Sequence, residues 1–345
     1  IRRRVQESID EHATTGYPSY VGSEKFRLAI SSWMKNRFGV DLDSKTEISS
    51  AIGAKEAVVN FSRCLINPGD IAIIPSPGYP PYKNGAILCG GVPYFVPLLE
   101  KNNFLIDYKS IPEDIADRAK IIWINYPNSP TGVCADREYY EGLVGWAHKH
   151  NIVIGADEGC YIDIYYDKPP MSILQVATEG IITFYSLSKR NNMTGYRVGW
   201  VAGDEQLVTL FKKVKTNIDS GTPNFVQDAA ISALSDESAV EGMRQLYKQK
   251  KEILLAGFAE LGWPKCDSEA TFYLWQKVPD GFTSLEFAKS LLVDEIAIVC
   301  TPGSWIADVC EGDINPGEGY VRFALMPSVD QIKEAVERLK KWQAN

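Results

Sequence analysis

The sequence predicts an α/β fold in which a mainly parallel sheet is sandwiched by helices, followed by a smaller α+β domain at the C-terminal end. Short and almost wholly apolar runs alternate with helix-like segments through the first two-thirds of the chain. Strands of this composition must be buried on both faces, and helices that connect successive parallel strands provide that burial. Beyond residue 264 the order of strands and helices changes, which indicates a second unit.

The strands of the first unit are predicted from apolar runs, each of which ends at turn residues or polar side chains. These runs are residues 71–74, 121–124, 152–154, 181–184 and 198–201. A helical pattern covers residues 136–150, between the second and the third run. Because ligands bind at the carboxyl ends of the strands in such sheets, the polar residues that follow the runs are the first candidates for a site.

The second unit follows a long amphipathic helix predicted over residues 240–261, which Gly262 and Pro264 end. A helix over 285–292, strands over 296–299 and 320–325, and a last helix come next. We therefore expect three parts. Residues 1–16 form an N-terminal segment that packs on the small domain, residues 17–245 form the large domain, and residues 246–345 form the small domain, which begins within the linking helix.

Charge and cysteine content argue against several classes of function. The net charge is −8 with both signs interspersed, which disfavours nucleic acid or an anionic membrane surface as a partner. No run approaches the roughly 20 apolar residues of a membrane span. The seven cysteines are odd in number and lack a Cys-x-x-Cys pair, so we expect a reducing compartment, the cytoplasm. The three histidines form no metal-ligand pattern, and we expect no metal site.

The segment from Ser186 to Gly199 carries the strongest chemical signal, Ser-Leu-Ser-Lys-Arg-Asn-Asn-Met-Thr-Gly-Tyr-Arg-Val-Gly. It follows a predicted strand and places Ser188, Lys189 and Arg197 in one short turn. A lysine that forms an imine must be deprotonated part of the time, and neighbouring cations favour that state. The serine hydroxyls and the guanidinium suit a dianionic phosphate. Taken alone, the segment also fits a solvated basic turn.

Two further segments follow predicted strands. Residues 125–132, Asn-Tyr-Pro-Asn-Ser-Pro-Thr-Gly, are crowded with turn formers and taken alone fit a plain loop. Asp157 ends another strand, and because a buried acid without a partner is costly, its carboxylate should face a positive group.

Together these segments resemble the aminotransferase class I/II family of fold type I pyridoxal-phosphate enzymes. The resemblance extends from about Tyr17 to the C-terminus and rests on the Ser-x-Ser-Lys…Gly-x-Arg-x-Gly and Asn-x-Pro-Asn-x-Pro-Thr-Gly elements. The sequence around the lysine is most similar to that of the diaminopimelate-type aminotransferases, a branch whose members act on LL-diaminopimelate or its N-succinyl form. The resemblance implies fold type I, with pyridoxal 5′-phosphate bound by the large domain.

The resemblance implies a role for each residue that matches the family motifs. Lys189 binds the cofactor covalently and shuttles the proton during catalysis. Asp157 pairs with the protonated pyridine nitrogen, which keeps the ring an electron sink. Asn128 donates to the phenolic oxygen of the ring and borders the substrate.

The implied phosphate site consists of Ser186, Ser188, Arg197 and the turn that contains Ala54 and Lys55. This turn precedes a helix predicted to about residue 66, and a helix N-terminus favours an anion. The alternative for Lys55 is a helix lysine that faces solvent.

Three aromatic or basic residues complete the implied site. Tyr79 stacks on the ring, with ordinary packing beneath a turn as the alternative. Tyr17 reaches the phosphate of the neighbouring subunit, which implies a homodimer with composite sites. Arg322 grips the substrate α-carboxylate through its planar fork, and an exposed ion pair is the alternative.

The sequence departs from the family pattern in two places. A tyrosine normally stands three residues after the aspartate, where this chain has Cys160; we expect a one-residue insertion that keeps Tyr161 in the role. A register with Glu158 as the acid is the alternative. The family's Gly- and Pro-containing segment that folds over the substrate is not among these residues, and we expect it to be a mobile lid that precedes Ile1.

The expected activity is transfer of an amino group between an L-amino acid and a 2-oxo acid, with glutamate and 2-oxoglutarate as one pair. Aspartate and alanine aminotransferases share the same skeleton and stay open as alternatives. A β-lyase on the same fold, or a non-catalytic descendant with a binding or regulatory role, is a further alternative.

Overall fold

A computed structural model describes residues 1–14 and 16–344 of the chain. Its larger sheet has seven strands in the order β1-β7-β6-β5-β4-β2-β3. In chain order these are β1 (Ile48–Ala51), β2 (Ile71–Ser76), β3 (Val92–Pro97), β4 (Ala119–Ile124), β5 (Val153–Gly159), β6 (Ile181–Ser186) and β7 (Gly199–Gly203). Strands β2 to β6 pair in parallel and β7 is antiparallel to both of its neighbours, so the predicted mainly parallel sheet is confirmed.

Helices cover both faces of this sheet. They are α1 (Arg2–Glu11), α2 (Glu24–Phe38), α3 (Ala54–Leu65), α4 (Pro80–Leu88), α5 (Glu113–Ala116), α6 (Arg137–Lys149), α7 (Leu187–Arg190), α8 (Glu205–Lys215) and α9 (Asn224–Leu234). One apolar core joins α2, α6 and α9 to one face, and a second core joins α3, α4 and α8 to the other. The central strands are buried on both sides, which explains their continuous apolar runs.

The C-terminal unit has its own three-stranded antiparallel sheet, in the order β8-β10-β9, and its own apolar core. Its elements are α10 (Ser238–Glu260), β8 (Tyr273–Lys277), α11 (Ser284–Ser290), β9 (Thr301–Pro302), α12 (Gly303–Ile306), β10 (Tyr320–Ala324) and α13 (Val329–Ala344). The expected smaller α+β unit is therefore present. The boundary at residue 245 stays a prediction.

The strand predicted over residues 296–299 is wrong. Ala297 has a φ of +49°, which breaks an extended conformation, and the amide of Ile298 donates to the carbonyl of Leu291 at 2.8 Å. A turn ends at Ile296, and residues 297–299 have no regular secondary structure. An apolar run reports burial but not backbone direction, and of these residues only Ile296 is buried.

The N-terminal helix α1 packs on α9 of the large domain. Ser8 Oγ donates to Asp228 Oδ2 at 2.6 Å, Arg4 Nη2 donates to the same oxygen at 3.0 Å, and His12 also contacts it. The prediction that residues 1–16 pack on the small domain is therefore wrong, because a buried serine and an ion pair hold the helix elsewhere. Thr15 lies outside the described residues.

Two broad properties follow from the described part of the chain. None of its helices is both long and apolar enough to cross a membrane. All seven cysteines are free thiols.

Candidate active site

The carboxyl end of β5 carries an extra residue. Ala156 pairs with Thr183 and Gly159 pairs with Tyr185, so three steps along β5 match two steps along β6. This is a β-bulge, which re-aims the side chains around it. Asp157 and Glu158 lie within the bulge, and both are buried.

Asp157 points to the face of the sheet that carries α3 and α4. The hydroxyl of Tyr82 donates to Oδ2 at 2.8 Å. The other oxygen, Oδ1, is buried without a well-aligned hydrogen bond, although the thiol of Cys160 lies beside the carboxylate. Burial raises the pKa of Asp157 to about 6, against the lowering effect of these two neighbours. A positive group opposite Oδ1 would satisfy it.

Glu158 lies on the opposite face and has a full set of partners. Ser172 and Tyr185 donate their hydroxyls to Oε1, the latter at 2.8 Å, and the amide of Ile173 donates to Oε2 at 3.2 Å. Burial raises the pKa of Glu158 to about 7. Because its acceptors are occupied within the core, the geometry disfavours the alternative register in which Glu158 is the acid of the site.

Lys189 lies in the one-turn helix α7, directly after β6. Ser186 caps this helix: its Oγ accepts from the amide of Ser188 at 3.1 Å and bonds the Ser188 hydroxyl at 2.8 Å. The side chain of Lys189 is half-buried, and its Nζ lies 5.5 Å from the centroid of the Phe272 ring, which belongs to the small domain. The lysine therefore faces the junction of the two domains.

Arg197 and the start of α3 form a cradle beside Ser188. Arg197 Nη1 donates to the carbonyl of Thr194 at 2.8 Å and lies 3.4 Å from Ser188 Oγ. Gly53 precedes α3 with a φ of +81°, and a Cβ added there would lie 2.3 Å from Arg197 Nη2. The α3 N-terminus has no side-chain cap and begins at buried Ala54, so hydroxyls, a guanidinium and helix amides converge, as a phosphate requires.

Asn128 is buried in the turn that follows β4. Its Oδ1 accepts from both the amide of Thr131, at 3.2 Å, and the Thr131 hydroxyl, at 2.8 Å. With Oδ1 engaged, the amide group of Asn128 is oriented as a donor away from Thr131. The turn predicted from residues 125–132 is present, and its internal hydrogen bonds fix the side chain of Asn128.

Tyr79 and Lys55 lie at the rim of this region. The Tyr79 ring makes an edge contact with Tyr82, which itself stacks on Trp123 at 5.0 Å. Lys55 is exposed, and its Nζ lies 5.8 Å from the centroid of the Tyr79 ring. Tyr79 is 36% exposed, so one part of its ring is available to a ligand.

Tyr161 and Cys160 point in different directions. Cys160 lies beside Asp157, whereas Tyr161 lies near Ser129 and packs against Phe272 and Tyr273 of the small domain, at 5.5 and 6.2 Å between ring centroids. Burial raises the pKa of Tyr161 well above its ordinary value. The bulge in β5 is consistent with a one-residue insertion at this position, and the role of Tyr161 stays a prediction.

Arg322 lies on the central strand β10 of the small sheet and faces the same junction. Its Cζ lies 4.3 Å from the centroid of the Tyr273 ring, which stacks on it. Within the described part of the chain no carboxylate lies within 4 Å of its guanidinium, so the alternative of an exposed ion pair is not met. A partly buried arginine in this state suits the carboxylate of a ligand.

Tyr17 is not part of this assembly within one chain, because its side chain is 89% exposed. A cleft of about 830 Å³ lies elsewhere, between residues 134–137 and 263–269. None of the candidate site residues lines this cleft.

The sequence analysis missed three aromatic residues that shape the site. Tyr82 binds Asp157, and Phe272 and Tyr273 contact Lys189, Tyr161 and Arg322. The apolar run that begins at Tyr273 indicated a strand. One sequence cannot show, however, that this strand, β8, pairs with β10, which carries Arg322.

The fold and the site define a fold type I enzyme that uses pyridoxal 5′-phosphate. The residues present fit this cofactor on two observations: the buried Asp157 Oδ1 lacks a partner where a protonated ring nitrogen would bind, and the cradle at Gly53 would be filled by a single Cβ. The chain belongs to the aminotransferase class I and II family, whose family model matches residues 1–339.

Individual relatives agree with this assignment. The chain is 49% identical to an LL-diaminopimelate aminotransferase of Aquifex aeolicus, over 98% of the chain and 85% of the relative. It is 44% identical to the enzyme of the same name from Halothermothrix orenii, over 99% and 86%. An aminotransferase structure from Neisseria meningitidis superposes with a TM-score of 0.93 at 32% identity, covering 99% of this chain and 88% of the other.

Proposed function

We propose that this aminotransferase exchanges an amino group between LL-diaminopimelate and 2-oxoglutarate, a reaction of lysine biosynthesis. The observation that carries the proposal is the 49% identity to an LL-diaminopimelate aminotransferase across nearly the whole chain. The orphaned oxygen of Asp157, the cradle at Gly53 and the guanidinium of Arg322, which forms no ion pair among the described residues, add support, since each offers a group that an aminotransferase site needs.

The residues around the ring divide the work between charge and proton transfer. When bound, pyridoxal phosphate supplies an electron sink for the charge that develops at Cα of the amino acid. Asp157, ionised and shielded from water, holds a positive ring nitrogen in place. Lys189 would be the group that accepts the proton from Cα of the amino acid and donates it back, because a free amine can act as both base and acid. Asn128 and Tyr161 hold the phenolic oxygen.

The remaining residues bind and orient. Ser186, Ser188 and Arg197 would hold the phosphate, together with the backbone amides of Ala54 and Lys55. Arg322 would bind the α-carboxylate of the amino acid, and the Tyr273 ring, 4.3 Å from Cζ, packs against its guanidinium. Tyr79 covers the ring.

The proposal is tested with a panel of amino donors and 2-oxoglutarate, measured by glutamate formation. We expect kcat/KM for LL-diaminopimelate to exceed that for aspartate, alanine or N-succinyl-diaminopimelate by at least about tenfold. Preference for one of the other donors would assign that donor instead. Release of pyruvate and ammonia without a 2-oxo acid would identify a β-lyase.

The role of Lys189 has a direct test and a matched control. Lys189→Ala should remove the visible absorbance of the bound cofactor and lower kcat by at least about 1000-fold. Lys55→Ala, which keeps the backbone amide near the phosphate, should retain the visible band. A Lys189→Ala variant with the wild-type band contradicts the assignment, and failure of the wild-type chain to bind cofactor would point to a non-catalytic descendant.

We also propose a homodimer with composite sites, in which Tyr17 reaches the phosphate in the partner. Its support is the exposure of Tyr17 in the single chain. Mixing Lys189→Ala with Tyr17→Phe creates hybrid dimers that hold one fully native site. Activity should then rise above that of either variant alone at limiting cofactor, and an unchanged activity would place Tyr17 outside the site.

A cytoplasmic location is part of the same proposal. All seven cysteines are free thiols, and three of them are buried, which suits a reducing compartment.

A further inference from the structure

Arg190, the residue after Lys189, is buried and held at several points. Its side chain is 4% exposed. Its Nε donates to Asp163 Oδ2 at 2.7 Å, its Nη1 donates to the carbonyl of Ala233 at 3.0 Å, and its Nη2 bonds the carboxylate of Glu237. A guanidinium with this set of acceptors has one orientation, because its planar fork matches them all at once.

The partner Asp163 is a buried carboxylate that two arginines share. Its Oδ1 accepts from Arg37 Nε at 3.0 Å, while Oδ2 accepts from Arg190. Asp163 is 3% exposed and stands two residues after Tyr161, on the segment that follows the bulge of β5. The ion pair of Arg190 and Asp163 therefore joins the segment of Lys189 to the segment of Asp157 and Tyr161.

The other two acceptors belong to the connection between the domains. Ala233 lies at the end of α9, and Glu237 precedes α10, which enters the apolar core of the small domain. The same guanidinium thus also joins the segment of Lys189 to the start of the interdomain helix.

We propose that Arg190 is a positioning residue for the aminotransferase reaction, which fixes Lys189 relative to Asp157 and to the interdomain helix; this inference rests on the proposed role of Lys189. Helix α7 has four residues, too few to be stable by itself. Its start is fixed by the Ser186 cap, and Arg190 fixes its end. Arg190 acts through Lys189 and does not touch the substrate.

The test compares Arg190→Met with Arg37→Met, since each variant removes one of the two arginines from the same carboxylate. Both should lower the thermal unfolding temperature. Arg190→Met should also lower kcat by at least about tenfold with a smaller change in KM, because a displaced lysine slows proton transfer more than binding. It should raise the pH at which the visible cofactor band titrates, because a cation is lost next to Lys189 while the carboxylate of Asp163 keeps only Arg37 as its partner. Arg37→Met should retain the wild-type titration.

Two milder variants keep the test informative if Arg190→Met fails to fold. Arg190→Lys keeps the charge and should restore the titration while only partly restoring kcat. Glu237→Ala removes a partner whose side chain is 54% exposed. It should shift the titration to lower pH by a smaller amount, because an anion is lost and Arg190 keeps its charge. Wild-type titration and kcat in Arg190→Met, or in both milder variants, would overturn the proposal, as would an equal shift in Arg37→Met. The role of Lys189 is tested separately, by the visible cofactor band of the wild-type enzyme and the loss of that band in Lys189→Ala. None of the outcomes for Arg190 changes that result.

Discussion

The two faces of the sheet at the end of β5 each bury one carboxylate, but the two carboxylates differ in their hydrogen-bond partners. Asp157 and Glu158 are neighbouring buried carboxylates. Each accepts from a tyrosine at 2.8 Å, Tyr82 or Tyr185, and each tyrosine stacks on a tryptophan with ring centroids about 5 Å apart. Glu158 has two additional donors, whereas Asp157 leaves one oxygen without a partner.

This difference separates an acid that is satisfied within the core from the acid that we propose binds the cofactor. Burial raises the pKa of both groups, so neither burial nor pKa alone marks the site. What distinguishes Asp157 is a buried acceptor, Oδ1, without a hydrogen-bond partner among the described residues. A buried polar atom without a partner is costly to folding, and such atoms are retained where a ligand completes them.

The largest effect that separates the two acids is expected for Asp157→Asn. It removes the negative charge opposite the ring nitrogen and should lower kcat by at least about 100-fold. The cofactor-free protein should be no less stable in thermal unfolding, because a desolvated charge is lost. An Asp157→Asn variant that keeps more than a tenth of the wild-type kcat would remove the distinction.

Glu158→Gln should change stability and leave catalysis intact. Burial raises the pKa of Glu158 from 4.5 to about 7, so the folded chain binds this proton more tightly than the unfolded chain. The contribution is fully present below pH 4.5 and is lost as the pH rises to about 7, which costs the wild type up to about 3 kcal/mol relative to the variant. Urea unfolding at several pH values measures it. Equal pH dependence in both proteins, or a large loss of kcat, would contradict the structural role.

Cofactor affinity should depend on pH through Asp157. Burial raises the pKa of Asp157 to about 6 in the chain without cofactor, and a positive ring nitrogen favours the ionised form. Affinity should therefore weaken as the pH falls below 6, by up to about tenfold for each pH unit. Titration of pyridoxal phosphate into the Lys189→Ala apoprotein isolates this effect. Adding Asp157→Asn should flatten the dependence, while adding Glu158→Gln should leave it in place.

The smallest effects are expected from the matched pair Tyr82→Phe and Tyr185→Phe. Each removes one hydroxyl donor to a carboxylate, worth about 1 kcal/mol, and keeps the stacked ring. Tyr82→Phe should lower kcat about fivefold, whereas Tyr185→Phe should lower the free energy of unfolding by about 1 kcal/mol with an unchanged kcat. Equal losses of kcat in both variants would show that the two faces are coupled.

The sequence predicted the parts of this molecule that depend on local composition. The central strands follow from continuous apolar runs, and the candidate side chains from motifs at strand ends. The sequence could not place partners that meet only through the fold: Tyr82 stands 75 residues before Asp157, and Arg190 meets Glu237 across 47 residues. It failed at residues 296–299 because a positive φ at Ala297 leaves no trace in composition.

The antiparallel pairing of β6 with β7 has a consequence for turnover. Ser186 pairs with Gly199, so Lys189 and Arg197 lie on one loop whose two ends are fastened together. The proposed cofactor contacts within a single chain belong to the large domain, whereas Arg322 belongs to the small sheet. If the small domain moved away, Arg322 would leave the substrate carboxylate, while the proposed cofactor contacts would stay in place. An aminotransferase releases its first product and binds its second substrate while the same cofactor molecule stays bound. Holding the cofactor on one domain and the substrate carboxylate on the other makes this possible.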